Sequence, residues 1–173
     1  GIKSFDLYLL FDTTLSYSHI NVYCKQYKLM SGLYSSSCFD LMMDYGIEII
    51  KSISKQIGYY SSDITKGLRV SALLIECVGS TREPNSKELF PLTGDGSTIM
   101  NALNTARTNT LLTESGSCPT YGIYQIIQKI ENSWIDSNVR SYKTLITFTD
   151  GLIYDPSGNA GKALINAVTA IRY

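Results

Sequence analysis

This chain of 173 residues has a single histidine, His19, and that scarcity excludes much of the common chemistry. Its four cysteines, Cys24, Cys38, Cys77 and Cys118, form no C-x-x-C pair, and with one histidine in the chain their spacings match no zinc pattern. A serine hydrolase would have to recruit His19 as its base, and no G-x-S-x-G elbow exists; His19 reads as a surface loop residue. Charge of one sign is missing too: Lys plus Arg and Asp plus Glu number 15 each. A net charge of zero argues against nucleic-acid binding dominated by phosphate contacts, which needs a basic surplus. No apolar run approaches the roughly 18–20 residues that span a bilayer, so direct membrane insertion of this domain is not expected. No signal-peptide pattern opens the chain, and its first residues read as a trimmed boundary. There is no N-x-[ST] sequon.

What is present suits one folded domain. Hydrophobic content of 44% and a charged fraction of 17% are ordinary for a globular chain of this length. "FDLYLLFDTTLSYS" (5–18) is an apolar run that turns abruptly polar, the mark of a strand buried on both faces. After an irregular stretch, "DLMMDYGIEIIKSISKQI" predicts a helix with Asp40 as N-cap. Met43, Ile47, Ile50 and Ile57 lie on one face of it, with Ile53 beside them. "LRVSALLIECV" (68–78) is a second buried strand. "STREPNSKE" reads as a polar turn and "LFPL" (89–92) as a short edge strand, since Pro91 lacks a donor. "GDGSTIMNALNTART" becomes a helix capped by Ser97. "YGIYQIIQKIENSW" is helical, with Ile123, Ile126 or Ile127, Ile130 and Trp134 in period. "KTLITFTDG" (143–151) is a third apolar strand, and Asn159 caps a last helix.

Strands alternating with helices of this length predict an α/β fold: a doubly wound, mostly parallel sheet flanked by helices. Ligand sites in such sheets form beyond the carboxyl ends of the strands. Two strands end there in oxygen-bearing clusters, Asp12-Thr13-Thr14-Leu15-Ser16 and Thr147-Phe148-Thr149-Asp150-Gly151.

Those clusters carry a family resemblance. "FDLYLLFDTTLS" resembles the start of a von Willebrand factor A domain, where the first strand bears D-x-S-x-S, the first half of a metal-ion-dependent adhesion site. "LITFTDG" is similar to the family's fourth strand, whose T-D-G supplies the last Asp. "CPTYGIYQII" offers Thr120 in the family's intervening Thr loop. The wording "DLYLL" and the Tyr- and Ser-rich composition are most similar to the A domains of the apicomplexan thrombospondin-related anonymous protein (TRAP) and micronemal adhesins.

The resemblance implies a Rossmann-like von Willebrand factor A fold over 1–173, with an insertion at 17–38 beside the metal loop; five of the chain's 13 tyrosines lie within 17–45. It implies that Asp12, Thr14, Ser16, Thr120 and Asp150 hold Mg²⁺, with Mn²⁺ or Ca²⁺ as substitutes. The chemistry is coherent, because Mg²⁺ takes near-octahedral oxygen ligands at about 2.1 Å and keeps some waters. Period-2 alternation lets Asp12, Thr14 and Ser16 converge as a strand unwinds. A water position left free accepts an Asp or Glu carboxylate of a host or matrix receptor, with a glycosaminoglycan as a further partner. The resemblance thus implies no enzyme. It implies the extracellular part of a secreted or type I membrane adhesin of the micronemes or cell surface, used in gliding and host-cell invasion. Family members continue past the helix at 160–173 with two more strands and a long helix, so the resemblance implies either that this sequence is part of a longer chain or that the domain is truncated, its sheet edge exposed or differently covered.

The sequence departs from the pattern at the 17–38 insertion and in two places among the ligands. Thr14 stands where the family has Ser, its extra methyl stiffening χ1. Pro119 and Tyr121 flank Thr120, with Thr108, Thr110 and Thr113 upstream as substitutes. These departures support the alternative, a non-adhesive A domain with a degenerate metal site that serves as an interaction module in a larger assembly. A haloacid dehalogenase-type enzyme needs D-x-D, and Thr14 removes its acid. "TGDGST" (93–98) lacks the Lys of a P-loop. Cys24 and Cys38 bracket a Tyr/Ser-rich stretch that a local disulfide would hold, with Cys77–Cys118 as the remaining pair. Buried free thiols fit the sequence equally well.

Overall fold

The structure, a computed structural model, describes residues 4–13, 32, 36–60, 66–78, 83–110, 122, 123, 125–129 and 142–148. Within them the chain is α/β: a four-stranded mixed sheet with helices on both faces. The elements are β1 (Ser4–Asp12), α1 (Cys38–Ile57), β2 (Gly67–Val78), β3 (Glu83–Thr93), α2 (Gly96–Asn109) and β4 (Tyr142–Phe148). The strand order is β3-β2-β1-β4, with β1 parallel to both β2 and β4 and β3 antiparallel to β2.

Side-chain alternation along β1 divides the core in two. Leu7, Leu9 and Phe11 point to the face covered by α1 and α2, where they meet Met43, Ile47, Ile50, Ile99 and Leu103. Tyr8 and Leu10 point the other way, against Leu73, Ile75 and Ile126, with Ile123 and Leu145 beside them. Ile123 and Ile126 belong to helical turns at 122–129. Both faces of β1 are therefore covered, which is why its sequence is apolar without a break from Leu7 to Phe11. Burying each large aliphatic side chain contributes about 1.5–3 kcal/mol. α1 lies close on the sheet at Gly46, where a Cβ would stand 2.8 Å from Phe11 Cζ.

Three expectations are corrected. α1 is capped by Ser37, whose Oγ accepts from Asp40 N at 3.0 Å. Asp40 lies inside the first turn, its carboxylate accepting from Ser36 N. α2 is capped by Asp95, which accepts from Ser97 N and Thr98 N, and not by Ser97. The Thr98 hydroxyl and these backbone N–H groups hold the Asp95 carboxyl below its ordinary value.

The third correction concerns 83–88, expected as a turn and found as strand: β3 runs over 11 residues. Its Pro84 and Pro91 are tolerated because it is the outer strand of the described sheet. Its polar residues are used on the face of the 122–129 helix, where Ser86 hydrogen-bonds Gln125 and Glu88 pairs with Lys129. Burial lowers the Lys129 ammonium below its usual value. Of the expected insertion at 17–38, residues 36–38 form the capped start of α1, and the rest apart from Gly32 lies outside the described residues, as does the helix after Asn159. The same holds for 130–134 and 149–151.

Cys38 is in a disulfide, which removes the free-thiol reading for that residue. Both expected pairings, Cys24–Cys38 and Cys77–Cys118, involve residues outside the described set.

Candidate functional site at the carboxyl edge of the sheet

A parallel sheet gathers strand ends at one edge, and three chain segments meet there. β1 ends at Asp12, fully buried and level with Ile75 of β2. The next residue anchors the chain where the strand stops: Thr13 N and Thr13 Oγ1 both donate to Ile75 O at 3.0 Å. Thr13 is itself buried, its hydroxyl engaged on the β2 backbone. Sequence reasoning passed over Thr13, because no motif marks a threonine used as a strand clamp.

On the other side, β4 runs parallel with β1 and pairs Phe148 with Phe11. The two rings stack at 5.0 Å with an interplanar angle of 6°, tying the ends of the strands together. Asp150 follows Phe148 by two residues in the chain.

The third segment is the start of the helical turns at 122–129. A Cβ on Gly122 would stand 2.6 Å from Leu10 Cδ1 and 3.3 Å from Ile75 Cβ. Gly122 thus lies directly on the two residues that flank Asp12 on this face, and only a glycine fits so close. Thr120 precedes Gly122 by two residues in the chain.

The helices fix where the sheet opens. α1, which follows β1, packs on one face; the 122–129 turns, which precede β4, contribute Ile126 to the other. The winding therefore reverses between β1 and β4. A crevice beyond the strands' carboxyl ends is the general consequence of such a switch point. Of the five expected metal donors, Asp12 is placed here, and Thr14, Ser16, Thr120 and Asp150 lie outside the described residues. Among the described residues no three His, Cys, Asp or Glu side chains gather as a metal cluster. An inner-strand carboxylate held rigidly at this edge is a fitting donor for a hard cation.

The opposite edge holds a polar cluster that sequence reasoning missed. Asp6 is fully buried and accepts from Arg69 Nε and Nη2, each at 2.8 Å, and from Lys143 Nζ at 2.7 Å. Arg69 also lies under the Tyr60 ring, 5.0 Å from its centroid. The signal was available: a carboxylate alone within "FDLYLLF" has to find cationic partners on the adjacent strands.

No protein-family model and no curated protein matches this chain. A solved structure titled as an uncharacterized membrane-spanning protein from Vibrio fischeri is similar at 16% identity and a TM-score of 0.47. The match covers 80% of this chain and 52% of that one. The chain thus spans about half of that protein's length, and a likeness this slight carries no argument about fold family or function. No described helix is long and apolar enough to cross a membrane.

Proposed function

We propose that this chain is a von Willebrand factor A-type domain acting as a metal-ion-dependent adhesion module, with the site at the junction of β1 and β4. The observation that carries the reading is the convergence at the carboxyl edge. Asp12 ends β1, Phe148 ends β4 two residues before Asp150, and Gly122 sits on Leu10 and Ile75 two residues after Thr120. Adjacent segments with these sequences are what a donor set drawn from Asp12, Thr14, Ser16, Thr120 and Asp150 requires. Two carboxylates and three hydroxyls suit Mg²⁺, with a remaining position for a receptor's Asp or Glu. The chain's own contribution is rigidity: a buried parallel strand, clamped by Thr13, holds its donor where a small cation tolerates little displacement.

The role that follows is receptor binding by an extracellular adhesin of the TRAP and micronemal type, in gliding and host-cell entry. The disulfide at Cys38 fits an oxidising compartment. Calorimetric titration of the metal-stripped domain with Mg²⁺ tests the proposal, with Asp12→Asn and Asp150→Asn alongside. Binding that each variant abolishes supports it. No binding to the unaltered domain overturns it and leaves a metal-free interaction module.

A further inference from the structure

Three side chains tie the end of α2 to the beginning of α1. Arg107, in the last turn of α2, pairs through Nε with Asp40 Oδ1 at 3.4 Å and through Nη1 with Asp44 Oδ1 at 3.7 Å. All three are more than three-quarters buried. Asp40 works in two directions. Its Oδ2 accepts from Ser36 N at 3.0 Å and from Ser36 Oγ at 3.4 Å, just ahead of the Ser37 cap. A cation in the last turn of one helix and a carboxylate in the first turn of the other also complement the two helix dipoles.

The pairs stand where apolar packing is thin. Past Leu103 the only apolar residue of α2 is Ala106. A cavity of about 740 Å³ opens beside this part of the helix, lined by Ala106, Asn109 and Thr110 and by Thr13 from the sheet. A lone alanine buries little area, so the fork of Arg107 is what ties the last turn down. Arg107 is also the one charged residue of α2, set against a row of like charges, Asp40, Asp44 and Glu48, at four-residue spacing on α1. Burial and Glu48 push the Asp44 carboxyl above its ordinary value, and Arg107 draws it back.

Both helices border the end of β1. Gly46 of α1 lies against the ring of Phe11, the residue before Asp12. The last turns of α2 border the cavity that Thr13, the residue after Asp12, also lines.

We infer that Arg107 is a positioning residue for the carboxyl-edge site: through Asp40 and Asp44 it locks the end of α2 to the start of α1, and so fixes the strand end that both helices border. The inference rests on the metal reading of that site. Its sign separates positioning from plain electrostatics. Removing a positive charge near a bound cation strengthens cation binding by Coulomb's law alone, whereas loosening a donor weakens it.

Calorimetric titration with Mg²⁺ compares the unaltered domain with Arg107→Met and with Lys51→Met, which removes an exposed cation elsewhere on α1. We expect Arg107→Met to bind at least about fivefold more weakly, at a temperature where thermal unfolding shows it folded. Lys51→Met should bind as the unaltered domain does. Arg107→Met combined with Asp40→Ala should bind as weakly as Asp40→Ala alone, because the two side chains act in one relay. Unchanged or tighter binding by Arg107→Met overturns the inference, and so does a further loss in the double variant. Where Arg107→Met does not fold, Arg107→Lys is read in its place, since it keeps the charge and loses the fork; a loss of about twofold or more supports the inference, and unchanged binding overturns it. If the unaltered domain binds no Mg²⁺, the metal reading has failed, and amide exchange in EDTA decides the role of Arg107 by itself. Arg107→Met should then speed exchange of Thr13 N–H, which donates to Ile75 O, relative to the amides of central β2. Equal rates at Thr13 in the two proteins overturn the inference.

Discussion

Asp6 and Arg69 stand opposite each other at one register position of β1 and β2, and their side chains meet in two parallel hydrogen bonds of 2.8 Å. Lys143, at the same level of β4, completes a row of charges across three adjacent strands. The row lies toward the amino end of the sheet, and the candidate metal site lies at the carboxyl end. A one-residue slip of either neighbouring strand would carry its cation to the opposite face. The row therefore selects the register that brings Asp12 and the end of β4 level.

Removing Asp6 should be severe. Asp6→Ala leaves two partly buried cations without their shared carboxylate, and we expect a loss of about 3–5 kcal/mol in urea-induced unfolding. A loss under 1 kcal/mol would mean that solvent already screens the row.

Gly46 should resist substitution although it is helical. In an exposed helix Gly→Ala stabilises by about 1 kcal/mol. Here the added Cβ would meet Phe11 Cζ at 2.8 Å, and overpacking of this kind costs about 1–3 kcal/mol. Chemical denaturation of Gly46→Ala, alone and combined with Phe11→Leu, checks the contact. The double variant should recover part of the loss.

Gly122 links packing to the proposed site. Gly122→Ala drives a methyl into Leu10 and toward Ile75, displacing the turn that follows Thr120. The expected result is reduced Mg²⁺ affinity in a domain that still folds cooperatively, read by calorimetry and thermal unfolding together. Unchanged affinity would detach this turn from the site.

The Asp95 cap predicts a pH dependence. Hydrogen bonds from Thr98 and Ser97 lower its carboxyl in the folded state, so the ionised group favours folding. That contribution is fully present above the ordinary carboxylate value of 3.8 and fades as pH falls through the lowered folded value. Asp95→Ala should therefore lower the thermal midpoint at pH 7 and approach the parent in strong acid. Ser97→Ala should do neither.

The buried strands and the face of α1 were legible in the sequence because burial writes itself as pattern. β1 is apolar from Leu7 to Phe11 where both faces are covered, and Met43, Ile47 and Ile50 repeat at helical period where one is. The end of β3 was legible at 89–92 as an edge strand, but its first part, 83–88, was hidden for the opposite reason. An outer strand with polar pairs on one face and two prolines has the composition of a turn, and only its pairing with β2 reveals it. The caps at Ser37 and Asp95 were each misplaced by two or three residues, since several adjacent side chains can cap a helix and backbone geometry chooses among them. At the site, the sequence marked Asp12 and the approach to Asp150 through oxygen-rich strand ends. The Thr13 clamp and the fit of Gly122 depend on contacts that are distant in sequence and leave no local motif.

The central claim is a cation held between the ends of β1 and β4. Crystals of the domain grown with Mn²⁺ in place of Mg²⁺ test it most directly, through the anomalous scattering of the metal. The account predicts one strong anomalous peak at the carboxyl edge, beside Asp12 and Asp150, that is absent from crystals of Asp150→Asn. A fully ordered edge without a peak there, or a peak that survives the substitution, would contradict it.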